Sequence, residues 1–448
     1  MIERFRRLLG DDAVWELGED GEVARELGID LAFAAAPADE EECAAALRAA
    51  AERRLGVVPW GGGRHQRIGR VPSPVAMVLV TTEMAGVVQH DVEDQTVVVR
   101  AGTRLRDLLA VVRDAGQMLP LDPWGLDRAT VGGVVAAGIN GPLRTGFGLP
   151  RDHLLGTRVA NPDGTVTRSG GRLVKNVTGF DLHRLLHGSL GTLGVLTEVA
   201  FRLRPRPERE GTVAARFDDL EGVDRLFAAS RLAGEELASF AVAPAATLAA
   251  AGAEPIEDAT DEEWIVLARA LGAARETSRV VARLSELAEA AGATTVREPA
   301  AGEQGPIWTA VRELGPRLDP DGGGVVLSLQ TAPMLDDRSA MGGFVEAAVA
   351  QAAGCDLRPH VVLEPSLGEV RLHFAAPPPD RLLSGLRRLA DRGAGRFLRI
   401  VSAPAPWRRT RDPWFGPLPA ERLQRRVKAA LDPGDVLSPG RIVTEVRT

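Results

Sequence analysis

The chain has 448 residues, 45% of them hydrophobic and 26% charged, enough for two or three domains at roughly 150 residues each and for a core that needs no staple. A net charge of −7 with no basic block excludes a general nucleic-acid binder. The cysteines, Cys43 and Cys355, exclude a disulfide framework or a cysteine-held iron–sulfur cluster and suit a reducing cytoplasm, and the N-terminus has no secretory h-region.

Residues 1–9 predict a short amphipathic helix and Ala32 to Ala36 a short strand. Pro37 then opens a helix that runs to Arg54, its acidic first turn suited to the positive end of the helix dipole. Gly56 to Pro59 predicts a second strand. This β–α–β unit ends in Trp60-Gly-Gly-Gly-Arg-His-Gln-Arg-Ile-Gly69. Three consecutive glycines leave backbone N–H groups free to converge on an anion. Alone they read first as a flexible turn; after a β–α–β unit they read as a phosphate cradle. The Rossmann fingerprint is not met, because no Gly-x-Gly-x-x-Gly opens a helix here.

Met77 to Thr81, Val87 to His90 and Thr96 to Arg100 predict strands of a second small sheet. Ala101 to Gly116 predicts a helix, with Thr103 as its N-cap and a terminal glycine. Gln117 to Pro123 is a rigid, proline-rich connector. Thr130-Val-Gly-Gly then brings a glycine pair, followed by Ala136, Ala137 and Gly138, small enough for another backbone or a flat ligand to come close. Leu143 to Arg151 is glycine-rich and basic. Val159 to Val166 predicts a hairpin turning on Pro162-Asp-Gly. Lys175, Asn176 and Asp181 read equally as polar anchors and as caps or solvated side chains. Gly191-Thr-Leu-Gly-Val closes this glycine-rich region.

Arg204 to Glu208 is a linker by composition, and the patterning changes after it. Strand-like runs (Thr212–Phe217, Trp264–Leu271, Val325–Leu329, Glu369–Phe374, Arg396–Val401) alternate with helical stretches (Val223–Leu232, Arg275–Ala291, Met341–Ala353). This predicts a mainly antiparallel sheet with helices on one face. Pro299 to Pro320 and Pro404 to Pro419 read as loops, the latter with Trp407, Trp414 and Phe415 at a pocket border or a partner surface. From Leu423 the tail predicts a helix and a turn.

The stretch Val131 to Arg204, and the run Gly171 to Pro207 above all, resembles the FAD domain of the vanillyl-alcohol oxidase and p-cresol methylhydroxylase (PCMH-type) superfamily, and within it the FAD-binding subunits of bacterial glycolate oxidases. The resemblance extends more loosely from Ala32 and returns over Val427 to Arg441, with Ser438 where asparagine is usual. It implies an α+β fold: a two-subdomain FAD-binding domain at 1–208 (about 1–82 and 83–208), an α+β cap at 209–420, and a C-terminal segment at 421–448 that returns to the FAD domain. It implies FAD held non-covalently by Pro59, Trp60, Gly61, Gly62, Gly63, Arg64, His65 and Gly69 of the first loop. Leu121 and Pro123 of the connector join them, as do Thr130, Val131, Gly132, Gly133, Ala136, Ala137, Asn140 and Gly141. Gly191, Gly194 and Val195 complete the set. The chemistry implied is hydride transfer from a small hydroxylated substrate, a 2-hydroxy acid, to flavin N5.

Related D-2-hydroxyacid dehydrogenases carry a metal motif, His-Leu-Gly-Asp-Gly-Asn-Leu-His, in the cap. Here Ser366-Leu-Gly-Glu-Val-Arg-Leu-His373 stands in its place. His373 matches, Ser366 replaces the first histidine, and Glu-His-Gly is absent. A divalent ion needs several convergent ligands, so no metal is expected. His360 would face His373 across a hairpin turning at Ser366–Leu367. Two readings stay open: an enzyme with its own substrate site, or a flavin subunit that serves a flavoprotein or iron–sulfur partner. No transmembrane segment is expected in either, since no apolar run approaches about 18 residues.

Overall fold

The computed structural model describes the chain except residues 19–20, 29–32, 172–179, 320–321, 331–340, 392–396, 417, 419 and 444–448. The chain forms two compact units. The first comprises Met1–Asn140, Leu149–Arg206 and Pro404–Thr448; the second comprises Gly141–Gly148 and Pro207–Ala403. The break after Arg206 sits beside the boundary expected at 208, but two stretches change sides. Residues 141–148 group with the second unit, and 404–420 group with the first. The cause of the latter is non-local: Ala405 packs on Gly28, and Arg408 donates to the Glu26 carbonyl at 2.9 Å.

The first unit holds two main sheets. One has the order Val14–Glu16, Phe33–Ala35, Met77–Val80, Val57–Trp60, parallel except at its first pair. Helix Glu40–Ala51 covers it. Asp39 caps this helix by accepting from the Glu42 N–H, and the Glu42 side chain reaches back to the Ala38 N–H. Its buried face is mostly alanine, which lets the helix lie close to Phe33, Met77 and Leu79. The other sheet is antiparallel, in the order Val87–Asp91, Thr96–Arg100, Val195–Arg202, Leu154–Ala160, Val166–Gly170. Helices Leu105–Asp114 and Val131–Ala137 share its core. The N-cap of Leu105–Asp114 is Arg104, with no side-chain cap bond. Thr103, the expected cap, instead accepts the Gly86 N–H at 2.8 Å and ties two loops together.

The C-terminal helix Glu421–Leu431 ends in a buried lock. Lys428 donates to the Thr192 and Leu437 carbonyls and to Asp432, whose carboxylate also accepts the Val436 and Leu437 N–H groups. Leu437 then bridges Val57 in parallel, adding the tail to the first sheet.

The second unit is one eight-stranded antiparallel sheet, ordered Thr295–Arg297, Arg209–Phe217, Trp264–Gly272, Ser239–Pro244, His360–Glu364, Glu369–Phe374, Val325–Gln330, Phe397–Ser402. Helices cover both of its faces, not one. Gly211 abuts Val281 of helix Ala274–Ala290, while its neighbour Thr212 accepts a hydrogen bond from Trp308 of helix Ala301–Arg312. Adjacent residues of an unbulged strand point to opposite faces. Ala301–Arg312 lies where the proline-rich sequence reads as loop. Pro306 sits inside it, and burial of Ile307, Trp308, Ala310 and Val311 overrides the local propensity.

Candidate functional site

Within the first unit, three glycine-bearing segments and the C-terminal tail line a half-open cleft. Strand Val57–Trp60 delivers the first segment, and the cleft is lined by Pro59, Trp60, Gly61, Gly62, Gly63, Arg64 and His65. Helix Val131–Ala137 contributes Thr130, Gly132, Gly133, Ala136 and Ala137; Gly191, Gly194 and Val195 supply the third wall. These are fifteen of the residues singled out in the sequence.

The glycines do different work. The backbone N–H groups of Gly62, Gly63, Arg64 and Gly191 have no acceptor among the described residues. The Gly132 N–H, in contrast, is spent on the Ala101 carbonyl at 2.8 Å, and the Gly133 N–H on the Thr130 hydroxyl at 3.3 Å. The first loop and Gly191 therefore offer donors, whereas the glycine pair offers space. Gly62 also packs on backbone: a Cβ there would meet the Arg128 carbonyl oxygen at 1.7 Å. Its need for glycine comes from the fold itself before any ligand is considered.

Arg64 stands at the edge of the cleft, 3.3 Å from Asp127. His65 is neutral: burial pushes its imidazole down to about 4, against the Trp124 carbonyl that holds Nε2 at 3.1 Å. Sequence reasoning missed Gln66, Thr81, Ala129, Leu190, Leu196 and Arg441 in the lining. Most are apolar or small and carry no local signal; Arg441 arrives from the far end of the chain.

Six of the singled-out residues do not line the cleft. Val131 and Leu121 are core residues at 1% and 2% exposure. Asn140 braces the connector, accepting the Asp122 N–H and donating to the Pro120 carbonyl. Gly69 packs against Leu190 and Arg441 without itself lining the cleft, Pro123 does not line it, and Gly141 belongs to the second unit. Asp181 is exposed and pairs with Arg184 at 3.6 Å; Lys175 and Asn176 lie outside the described residues.

In the second unit His360 pairs with His373 across the expected hairpin, whose turn is Pro365–Leu367 followed by Gly368 in the left-handed region. Neither ring nitrogen of His373 has a partner among the described residues. No group of three or more His, Cys, Asp or Glu able to hold a metal occurs among them. The same hairpin carries a network that sequence reasoning did not find. Arg144 reaches the buried carboxylates of Glu364 and Glu369, joined by Arg371 and Arg399. Burial alone would raise the Glu369 carboxyl. The three guanidiniums and the Ser328 hydroxyl outweigh it and hold Glu369 well below the usual carboxylate range.

Residues 31–170 match a family described as FAD binding domain. The chain is 33% identical over 186 residues to glycolate oxidase subunit GlcD of Bacillus subtilis (strain 168), covering 42% of this chain and 40% of that protein. It is 46% identical over 124 residues to glycolate oxidase subunit GlcE of Escherichia coli (strain K12), covering 27% and 35%. The matches span about two fifths of the length of these curated relatives. In fold the chain is similar to p-cresol methylhydroxylase with substrate bound, at a TM-score of 0.76 and 16% identity, covering 99% of this chain and 96% of that one. Among the described residues no helix is long and apolar enough to cross a membrane.

Proposed function

We propose that this chain, which carries the FAD-binding domain of the vanillyl-alcohol oxidase and p-cresol methylhydroxylase superfamily, is an oxidoreductase that takes a hydride from the hydroxyl-bearing carbon of a small 2-hydroxy acid. One observation carries the reading. Four backbone N–H groups without an acceptor among the described residues, those of Gly62, Gly63, Arg64 and Gly191, line one cleft. A diphosphate supplies the acceptors that such a cradle lacks. FAD, when bound, supplies the electron sink. The chain's own part is to hold it through the first loop, Thr130 to Ala137 and Gly191 to Val195, while Trp60, Ala136, Ala137 and Val195 give the cleft apolar walls. The substrate class rests on the glycolate oxidase subunits that the chain resembles. Anaerobic mixing of the purified flavoprotein with a panel of 2-hydroxy acids tests it. Loss of the oxidised-flavin absorbance with at least one acid is expected, and a flavin untouched by all of them sinks the catalytic reading.

The Arg144 network favours a second reading. Arg144, Arg371 and Arg399 hold the buried Glu369 carboxylate well below the usual carboxylate range, so it is not poised to accept a proton. The chain then serves as the flavin subunit of a larger dehydrogenase. Copurification with a flavoprotein or iron–sulfur partner, together with a flavin inert to hydroxy acids, supports that reading.

A further inference from the structure

The C-terminal turn puts one buried cation against the cleft. Arg441 is 3% exposed and lines it. Its guanidinium donates from Nε to the Ile68 carbonyl at 3.2 Å, from Nη1 to Gln66 Oε1 at 2.6 Å and from Nη2 to the Gln66 carbonyl at 2.8 Å. All three acceptors are neutral. The Gln66 amide is itself fixed, since its Nε2 donates to the Pro59 carbonyl at 3.0 Å. A guanidinium has five N–H donors, so two remain. No carboxylate reaches Arg441 among the described residues. A second buried guanidinium, Arg408, donates to the Gln66, Gly69 and Glu26 carbonyls and so adds positive charge beneath the same loop.

A buried charge left without a counter-charge costs several kcal/mol. Burial, with Arg408 nearby, pulls Arg441 down to about 9, the mark of a cation short of an anion. The place where an anion would enter is already defined, because the acceptor-free N–H groups of Gly62, Gly63 and Arg64 line the same cleft. Arg441 is held there from the far end of the chain. Ser438 donates its N–H to the Val57 carbonyl at 2.8 Å, and the Arg441 carbonyl accepts the Arg70 N–H at 3.0 Å.

We infer that Arg441 is the cationic anchor for the diphosphate of the dinucleotide, completing the cradle that the glycine loop begins. This rests on the FAD reading above and adds the residue that pays its charge. It also places the chain's C-terminal turn inside the cofactor site.

The test separates the two halves of the ligand. ADP carries the diphosphate without the flavin; riboflavin carries the flavin without phosphate. Apoprotein is titrated with FAD, ADP and riboflavin, wild type against Arg441→Gln and Arg441→Lys, with circular dichroism and thermal melts as folding controls. Arg441→Gln should weaken FAD and ADP alike by roughly 10- to 100-fold, the range of a charge-assisted contact, and leave riboflavin unchanged. Arg441→Lys should keep most of the affinity near neutral pH and lose it as pH rises, because a buried lysine sheds its proton far more readily than arginine. That variant keeps the inference testable if the glutamine form fails to fold. ADP affinity unchanged in Arg441→Gln, or a pH-independent Arg441→Lys, overturns the assignment while leaving the FAD reading standing. Wild-type protein that binds none of the three ligands overturns both.

Discussion

The α-carbon of Gly62 lies so close to the carbonyl oxygen of Arg128 that a β-carbon would sit 1.7 Å from it. The obstructing atom is backbone and cannot swing aside as a side chain would. Gly132 is less confined: its β-carbon would meet Ala101 Cβ at 2.9 Å and the Ala101 carbonyl at 3.1 Å. Gly62→Ala should therefore cost about 3 kcal/mol or more and lose FAD together with the fold of the loop, whereas Gly132→Ala should cost about 1–2 kcal/mol. Denaturant melts with flavin fluorescence as a second probe check the order. A folded Gly62→Ala that merely lacks FAD would mean that the ligand, and not the Arg128 carbonyl, imposes the glycine.

Thr96–Arg100 and Glu369–Phe374 have the predicted bounds because a β-branched run in the first and apolar alternation in the second mark a strand without reference to distant partners. The glycine motifs marked three walls of the cleft for the same reason. The resemblance implies that the tail returns to the FAD domain, but nothing local marks Arg441 as a residue of the cleft. Arg441 becomes a cleft residue only because Lys428, Asp432 and Leu437 fold the tail back onto Val57 and Thr192. Arg144 likewise reads as one basic residue in a glycine-rich stretch until the sheet brings Glu364 and Glu369 to it. Helix Ala301–Arg312 was missed because Pro306, Gly302 and Gly305 speak against a helix locally, and its warrant is the burial of Trp308 over Thr212.

The Lys428–Asp432 pair should be costly to break. Its side chains are 4% and 0% exposed, and the carboxylate also fixes two backbone N–H groups. Lys428→Met leaves Asp432 charged and buried without its cation, which typically costs about 3–5 kcal/mol. The double variant with Asp432→Asn should cost less than the sum of the two single changes, since it leaves no orphan charge. Urea denaturation of the four proteins gives the cycle. A Lys428→Met loss under about 1 kcal/mol would mean that the tail is held elsewhere.

Acid should weaken the second unit through His373. Burial comes first in pushing its imidazole down from 6.5 to about 3, with Arg371 and His360 pushing the same way and Glu369 opposing. The unfolded chain therefore binds the proton more readily than the folded one between those values. Stability is fully present above about pH 6.5 and falls as pH drops through the window toward about 3, by about 2 kcal/mol at pH 5. His373→Leu should flatten the profile of stability against pH in this window. An equally steep profile in that variant would assign the acid sensitivity to other groups.

The FAD should be held without a covalent bond. A histidyl link needs an imidazole free to turn its unprotonated nitrogen onto the cofactor. His65 lines the cleft, yet its Nε2 is 3.1 Å from the Trp124 carbonyl and so carries the proton that bonds there. The ring also stands edge-on to Trp124, with centroids 5.4 Å apart at 83°, which fixes its plane. A cysteinyl link needs a thiolate. Cys43 is fully buried on the inner face of helix Glu40–Ala51, and burial pushes its thiol up to about 12. Cys355 belongs to the second unit and does not line the cleft. Retention then falls to the loop N–H groups, to Arg441 and to apolar burial, all of which acid denaturation undoes. Acid precipitation of the yellow protein should leave the flavin in the supernatant and the pellet colourless. A yellow pellet, with a flavin mass on the peptide that contains His65, would show that the imidazole leaves Trp124 to bond the cofactor.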